Sequence, residues 1–117
     1  MEPLRIVPSG TRPPVPEVHH TAEFLRLKGL AERGVANAQH SLGFMYVNGQ
    51  DVAKDELLAI HWYRQAAAAG LEQAQYNLGV MFQKGQGVAR DDIQAAYWYE
   101  RAADQGYAPA QYNLGWM

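Results

Sequence analysis

Cysteine is absent from the 117 residues. That excludes disulfides, thiolate metal sites and a cysteine nucleophile, and it fits a reducing compartment. Charge of one sign is also lacking: 10 basic and 12 acidic residues leave a net charge of −2, with no long run of either. A nucleic-acid-binding domain would carry a basic face, so nucleic acid is not an expected partner. No stretch approaches the roughly 18 apolar residues of a membrane span. Five of the six prolines (Pro3, Pro8, Pro13, Pro14 and Pro16) crowd the N-terminus, where a signal peptide would need an apolar run. These absences together lead to the expectation of a cytoplasmic protein of one domain with no signal peptide.

Catalytic signatures are equally scarce. The two serines are Ser9 and Ser41, and neither sits in a Gly-x-Ser-x-Gly elbow or a Ser-x-x-Lys motif. Gly85-Gln86-Gly87 is too short for a phosphate loop and lacks a following Lys-Ser/Thr, so it reads as a turn. His19 and His20 are adjacent, His40 and His61 lie far apart, and no His-x-x-x-His pair exists to hold a metal. The acid pairs Asp55-Glu56 and Asp91-Asp92 sit where helices should start, and capping accounts for them. No catalytic residue, metal ligand or cofactor is therefore assigned.

What the sequence does have is a period of 36. Aligning Gly34–Met81 with Gly70–Met117 gives 24 identities in 48 pairs without a gap. Gly34, Gly70 and Gly106 align, as do Ala38, Ala74 and Ala110, then Leu42, Leu78 and Leu114, then Gly43, Gly79 and Gly115. A fixed period of this size marks stacked units that bury their apolar faces against one another. Such arrays usually hold another molecule instead of transforming it.

Residues 1–20 stand apart as a proline-rich arm, extended or disordered. Within it, Arg12 to Pro16 reads as a linker or as a polyproline ligand for an aromatic groove. Residues 21–117 form the repeat domain. Thr21 is placed to cap a half repeat over 21–34, closed by Gly34. Full repeats follow over about 37–70 and 73–106. Each has a leading helix (about Asn37–Val47, then Gln73–Lys84), a glycine turn, and a trailing helix (about Lys54–Ala69, then Asp91–Gln105). A last half repeat occupies 109–117, with Pro109 near its helix start, where a missing N–H costs little.

Glycine inside a helix costs about 1 kcal/mol relative to alanine. Its use at 43, 79 and 115 predicts that another helix passes too close for a Cβ. The alanine columns carry the same expectation. Trp62, Trp98, Tyr63 and Tyr99 should fill the space between units, and truncating a buried tryptophan there should cost about 3–5 kcal/mol. On the leading helices Ala74, Leu78, Met81 and Phe82 form one buried stripe. The opposite face carries His40/Tyr76/Tyr112 and Phe44/Val80/Trp116, a row that changes between units. It is expected either to line a concave groove for a partner peptide or helix or to pack between neighbouring helices. Ser41, Asn77 and Asn113 flank it and could bond a bound backbone.

The recurring signature is Ala-Gln-x-x-Leu-Gly-x-Met-Tyr/Phe, then Gly-Gln-x-Val-x-x-Asp, then Ala-x-x-Trp-Tyr-x-x-Ala-Ala-x-x-Gly. It spans Ala38 to Gly70 and again Ala74 to Gly106. It resembles the Sel-1-like repeat family, relatives of the tetratricopeptide repeats. Asp51 departs from the pattern where the second unit has Gly87. The resemblance implies an all-α fold, a right-handed α/α solenoid of helix–turn–helix repeats. It also implies adaptor or scaffold function, with other proteins as partners. A hydrolase, as some members have been assigned, is the alternative function. A further alternative is a structural or oligomerising fragment of a longer array, self-associating through an open C-terminal end.

Overall fold

The chain is divided into helices by its capping side chains and its glycines. A computed structural model describes residues 20–117, and the proline-rich arm with its Arg12–Pro16 stretch lies outside the described residues. The elements are α1 (Ala22–Glu32), α2 (Ala36–Asn48), α3 (Glu56–Ala68), α4 (Glu72–Lys84), α5 (Asp92–Asp104) and α6 (Ala108–Trp116). The Thr21 hydroxyl accepts from the Phe24 N–H at 3.0 Å and starts α1. The Asp55 carboxylate accepts from Leu58 N–H at 3.1 Å, and Asp91 from Ile93 and Gln94 N–H at 3.0 Å each. These groups satisfy amides that helix geometry leaves free. The trailing helices therefore begin at Glu56 and Asp92, just after their aspartate caps. The first lies two residues later than the expected Lys54, because Asp55 is still extended at φ −152. Gly34, Gly70 and Gly106 close the odd-numbered helices with φ of +93, +99 and +87, a conformation only glycine adopts freely.

Each helix packs against its neighbours in sequence, α1 on α2 through α5 on α6, which makes an α/α solenoid. Among the described residues there is no strand. The core is the seam between consecutive helices. Ala38, Leu42 and Met45 of α2 and Ala74, Leu78, Met81 and Phe82 of α4 are all buried. They face Ala59, Tyr63, Ala66 and Ala67 of α3 and Ala95, Tyr99 and Ala102 of α5, also buried.

Two sequence expectations need correction here. Tyr63 and Tyr99 are buried, but Trp62 and Trp98 are only half-buried. Adjacent helical residues point about 100° apart, so when the tyrosine faces the seam the tryptophan lies at its margin. The glycine column is also not uniform. A Cβ at Gly43 would lie 2.5 Å from the Tyr63 ring and one at Gly79 2.7 Å from the Tyr99 ring, while one at Gly115 would meet nothing within 4 Å. The obstacle is chiefly a tyrosine ring, and among the described residues no helix follows α6 to supply one.

The Asp51 departure has a local reason. Asp51 adopts φ +64 and Gly87 φ +70, the same left-handed turn. A Cβ at Gly87 would come within 2.8 Å of the Glu56 carbonyl oxygen. The residue 36 positions before Glu56 is His20, which precedes α1 instead of lying in it. α1 thus starts two residues later in register than α3, and the Asp51 carboxylate accepts there from the Thr21 hydroxyl at 3.4 Å.

Candidate functional site

Polar ladders tie the units together and set where the leading-helix row sits. The first ladder is made of glutamine. Gln39, Gln75 and Gln111 each donate a side-chain N–H to the carbonyl of Ala31, Ala67 and Ala103, at 3.1, 3.1 and 3.2 Å. Each leading helix is thereby pinned to the end of the helix before it. In the second unit the amide is completed from its other side. The Gln105 side-chain N–H donates to Gln75 Oε1 and to the Gly70 carbonyl, both at 2.9 Å. In the first unit the position 36 residues before Gln105 is Ala69, and Gln39 Oε1 is buried with no partner among the described residues. The glutamine column was visible in the sequence, but its role depends on a residue 30 positions downstream and could not be read from periodicity.

Replacing Ala69 with glutamine should therefore stabilise the protein by about 1 kcal/mol, the net value of a completed buried hydrogen bond. The change should appear as a raised denaturant midpoint at unchanged slope. Gln105→Ala should do the reverse and cost about 1–3 kcal/mol by orphaning Gln75 Oε1.

A second ladder joins the leading helices directly. The Asn77 side-chain N–H lies 3.0 Å from His40 Nε2, and that of Asn113 donates to the Tyr76 hydroxyl at 3.4 Å. Both asparagines thus spend their amide N–H on the preceding unit, leaving the side-chain oxygen as the group with spare capacity. His40 stacks at a tilt on Tyr63, centroids 5.7 Å apart, and Tyr76 lies 5.6 Å from Tyr99 and 5.5 Å from Tyr107. Tyr112 and Trp116 meet edge to face at 6.0 Å.

The expected site residues therefore divide. His40, Tyr76 and Val80 are half-buried and pack between helices on one side while showing the other to solvent. Phe44, Tyr112 and Trp116 are exposed. Ser41, Asn77 and Asn113 are half-buried beside them. His40, Ser41 and Phe44 come together in a 400 Å³ hollow with Glu23 and Leu27 of α1, residues the sequence did not single out; the α4 and α6 members do not line it.

The Asn77 side-chain N–H set against His40 Nε2 suits a neutral ring that accepts there and carries its proton on Nδ1. Burial holds its pKa below the ordinary 6.5. Protonation would set donor against donor. The unfolded chain takes up this proton near pH 6.5 and the folded chain only lower. The contribution is thus intact above pH 6.5 and lost as pH falls through that window. Urea midpoints should fall with acidification across it, and His40→Gln should flatten the dependence.

Among the described residues no three metal-ligating side chains gather, and no helix is long and apolar enough to cross a membrane. The family model for the Sel1 repeat matches residues 36–71, 72–107 and 108–117. The chain is similar to a solved Sel1 repeat protein from Oxalobacter formigenes, at 47% identity and TM-score 0.78, covering 80% of this chain and 71% of that one. It is similar to c5321, a protective antigen present in uropathogenic Escherichia coli strains, with an SLR fold. There the identity is 42% and the TM-score 0.72, over 73% of this chain and 18% of that one. A third similar structure is cysteine rich protein B of Helicobacter pylori. It shares 30% identity at TM-score 0.71, over 74% of this chain and 65% of that one. No curated protein matches the sequence.

Proposed function

This chain belongs to the Sel1 repeat family, and we propose that it is an interaction scaffold holding a peptide or helix of a partner protein along its leading-helix row. Sel1 repeat proteins are generally protein-interaction scaffolds and typically not enzymes, so binding without chemistry is the reading. The observation that carries the surface is the contrast within one register. The frame residues Ala38/Ala74/Ala110 and Leu42/Leu78/Leu114 do not vary, while Phe44, Val80 and Trp116 do. Phe44, Tyr112 and Trp116 also stay exposed in the folded chain. Large apolar groups on a rigid frame supply contact area at small entropic cost. Asn77 and Asn113, half-buried beside the row, would offer their side-chain oxygens as acceptors to a partner backbone.

Affinity capture followed by mass spectrometry, run in parallel on the wild type and on Phe44→Ala/Tyr112→Ala, tests this reading. Both side chains are exposed, so circular dichroism should be unchanged. Proteins retained by the wild type should be lost from the variant; identical sets would sink the groove. Self-association through α6 is a second reading, favoured by the 75% exposure of Trp116 and 47% of Met117. Light scattering should then show mass rising with concentration, and a monomer at all concentrations would refute it.

A further inference from the structure

The two units treat one cleft differently. In the second unit it is filled from within the chain. The Gln105 amide caps Gln75 Oε1 and the Gly70 carbonyl, and the Arg101 guanidinium lies 5.7 Å from the Trp98 ring centroid. The corresponding residues 36 positions earlier are Ala69 in place of Gln105 and Gln65 in place of Arg101. Both fillings are thus missing from the first unit. What remains is a 370 Å³ hollow bounded by the end of α1, the start of α2 and the flank of α3, with Trp62, Gln65 and His61 on one side. Gln39, 6% exposed and with Oε1 unpartnered among the described residues, lines it, as do Gly34 and Glu32. The His61 and Trp62 rings meet edge to face, centroids 4.8 Å apart.

The chemistry of this lining selects its ligand. Gln39 Oε1 and the Gly34 carbonyl are acceptors, the Glu32 carboxylate is an anion paired among the described residues with Lys28 at 3.5 Å, and the Trp62 face is electron-rich. A guanidinium is planar, brings five N–H donors and no acceptor, and stacks on an aromatic face. It would combine in one group what Gln105 and Arg101 do separately in the second unit. A carboxamide would bring an unwanted acceptor, and an ammonium cannot lie flat on the ring. We propose that the α1–α3 cleft is a receptor for an arginine side chain of a partner polypeptide, its guanidinium donating to Gln39 Oε1 and Gly34 O over the Trp62 face.

The inference does not depend on the leading-helix row. The test is a titration of isotope-labelled protein with capped arginine, capped citrulline and capped lysine, read at the Trp62 indole N–H and the Gln39 side-chain amide. Arginine should shift both signals in a saturable way, citrulline more weakly, and lysine least. Ala69→Gln/Gln65→Arg rebuilds the second unit's own filling in the first and should weaken arginine binding by at least about tenfold. Glu32→Ala, at an exposed position whose counterpart 36 residues on is Ala68, should weaken arginine binding and leave citrulline unchanged. Phe44→Ala/Tyr112→Ala should bind arginine as the wild type does, which separates failure here from failure of the groove. No saturable shift with arginine, an equal response to lysine, or undiminished binding in the refilled variant would each overturn the proposal.

Discussion

Tyr99→Ala is expected to lower the unfolding free energy by about 3–5 kcal/mol, the range for deleting a large buried ring. For a domain of this size that is a large part of the total. Tyr99 is 0% exposed and lies over Gly79, with its ring 5.6 Å from Tyr76. Its hydroxyl donates to Gln83 Oε1 at 2.8 Å, which lets a polar tip end a buried side chain without an orphaned group. Burial pushes its pKa up, so the phenol stays neutral through the physiological range. The neighbouring Trp98 is half-buried and should cost less on truncation, about 1–2 kcal/mol, in proportion to the area it removes from water. Tyr99→Phe isolates the hydroxyl and should cost about 1 kcal/mol. Tyr63→Phe should cost less than that, because the residue at the Gln83 register in the first unit is Val47. Guanidinium midpoints across this set check the order. A Trp98→Ala loss equal to that of Tyr99→Ala would mean that the tryptophan column, not the tyrosine column, holds the seam.

That ranking shows where sequence reading stops. Periodicity identified both aromatic columns at once, since Trp62/Trp98 and Tyr63/Tyr99 recur with the same spacing. It could not say which of two adjacent residues faces inward, because recurrence is the same for a seam residue and for one at its edge. The helices themselves were legible because their ends carry chemistry of their own. Thr21, Asp55 and Asp91 accept from free amides, and Gly34, Gly70 and Gly106 take positive φ. The leading-helix row was legible as a face, since a helix turns about 100° per residue whatever surrounds it. What the sequence hid were contacts between units. Asn77 reaching back to His40 and Gln105 reaching back to Gln75 join residues 37 and 30 positions apart. The cleft at Gln39 follows only from comparing two copies in space. There a short residue at 69 leaves a buried acceptor unpartnered that residue 105 satisfies in the next unit.

Gly79→Ala and Gly115→Ala are expected to change stability in opposite directions although both lie mid-motif in the same glycine column. In an unobstructed helix the substitution gains up to about 1 kcal/mol. At Gly115 nothing lies within 4 Å of the added Cβ, so a gain is expected, reduced by its place in the last turn of α6. At Gly79 the Cβ would sit 2.7 and 2.8 Å from two ring carbons of Tyr99 and 3.2 Å from the Ala95 carbonyl oxygen. Neither neighbour is a flexible tip that can swing aside. The ring is fully buried, and the carbonyl belongs to the backbone of α5. Overpacking of this kind costs about 1–3 kcal/mol and exceeds the propensity gain. Gly43→Ala should behave in the same way against Tyr63, whose ring carbons would lie 2.5 Å away. A double-mutant cycle identifies the cause. In a Tyr99→Ala background the ring is gone and most of the Gly79→Ala penalty should vanish, so the two losses should fall well short of adding. Full additivity would mean that the Ala95 carbonyl, and with it the approach of the two helix backbones, sets the glycine requirement.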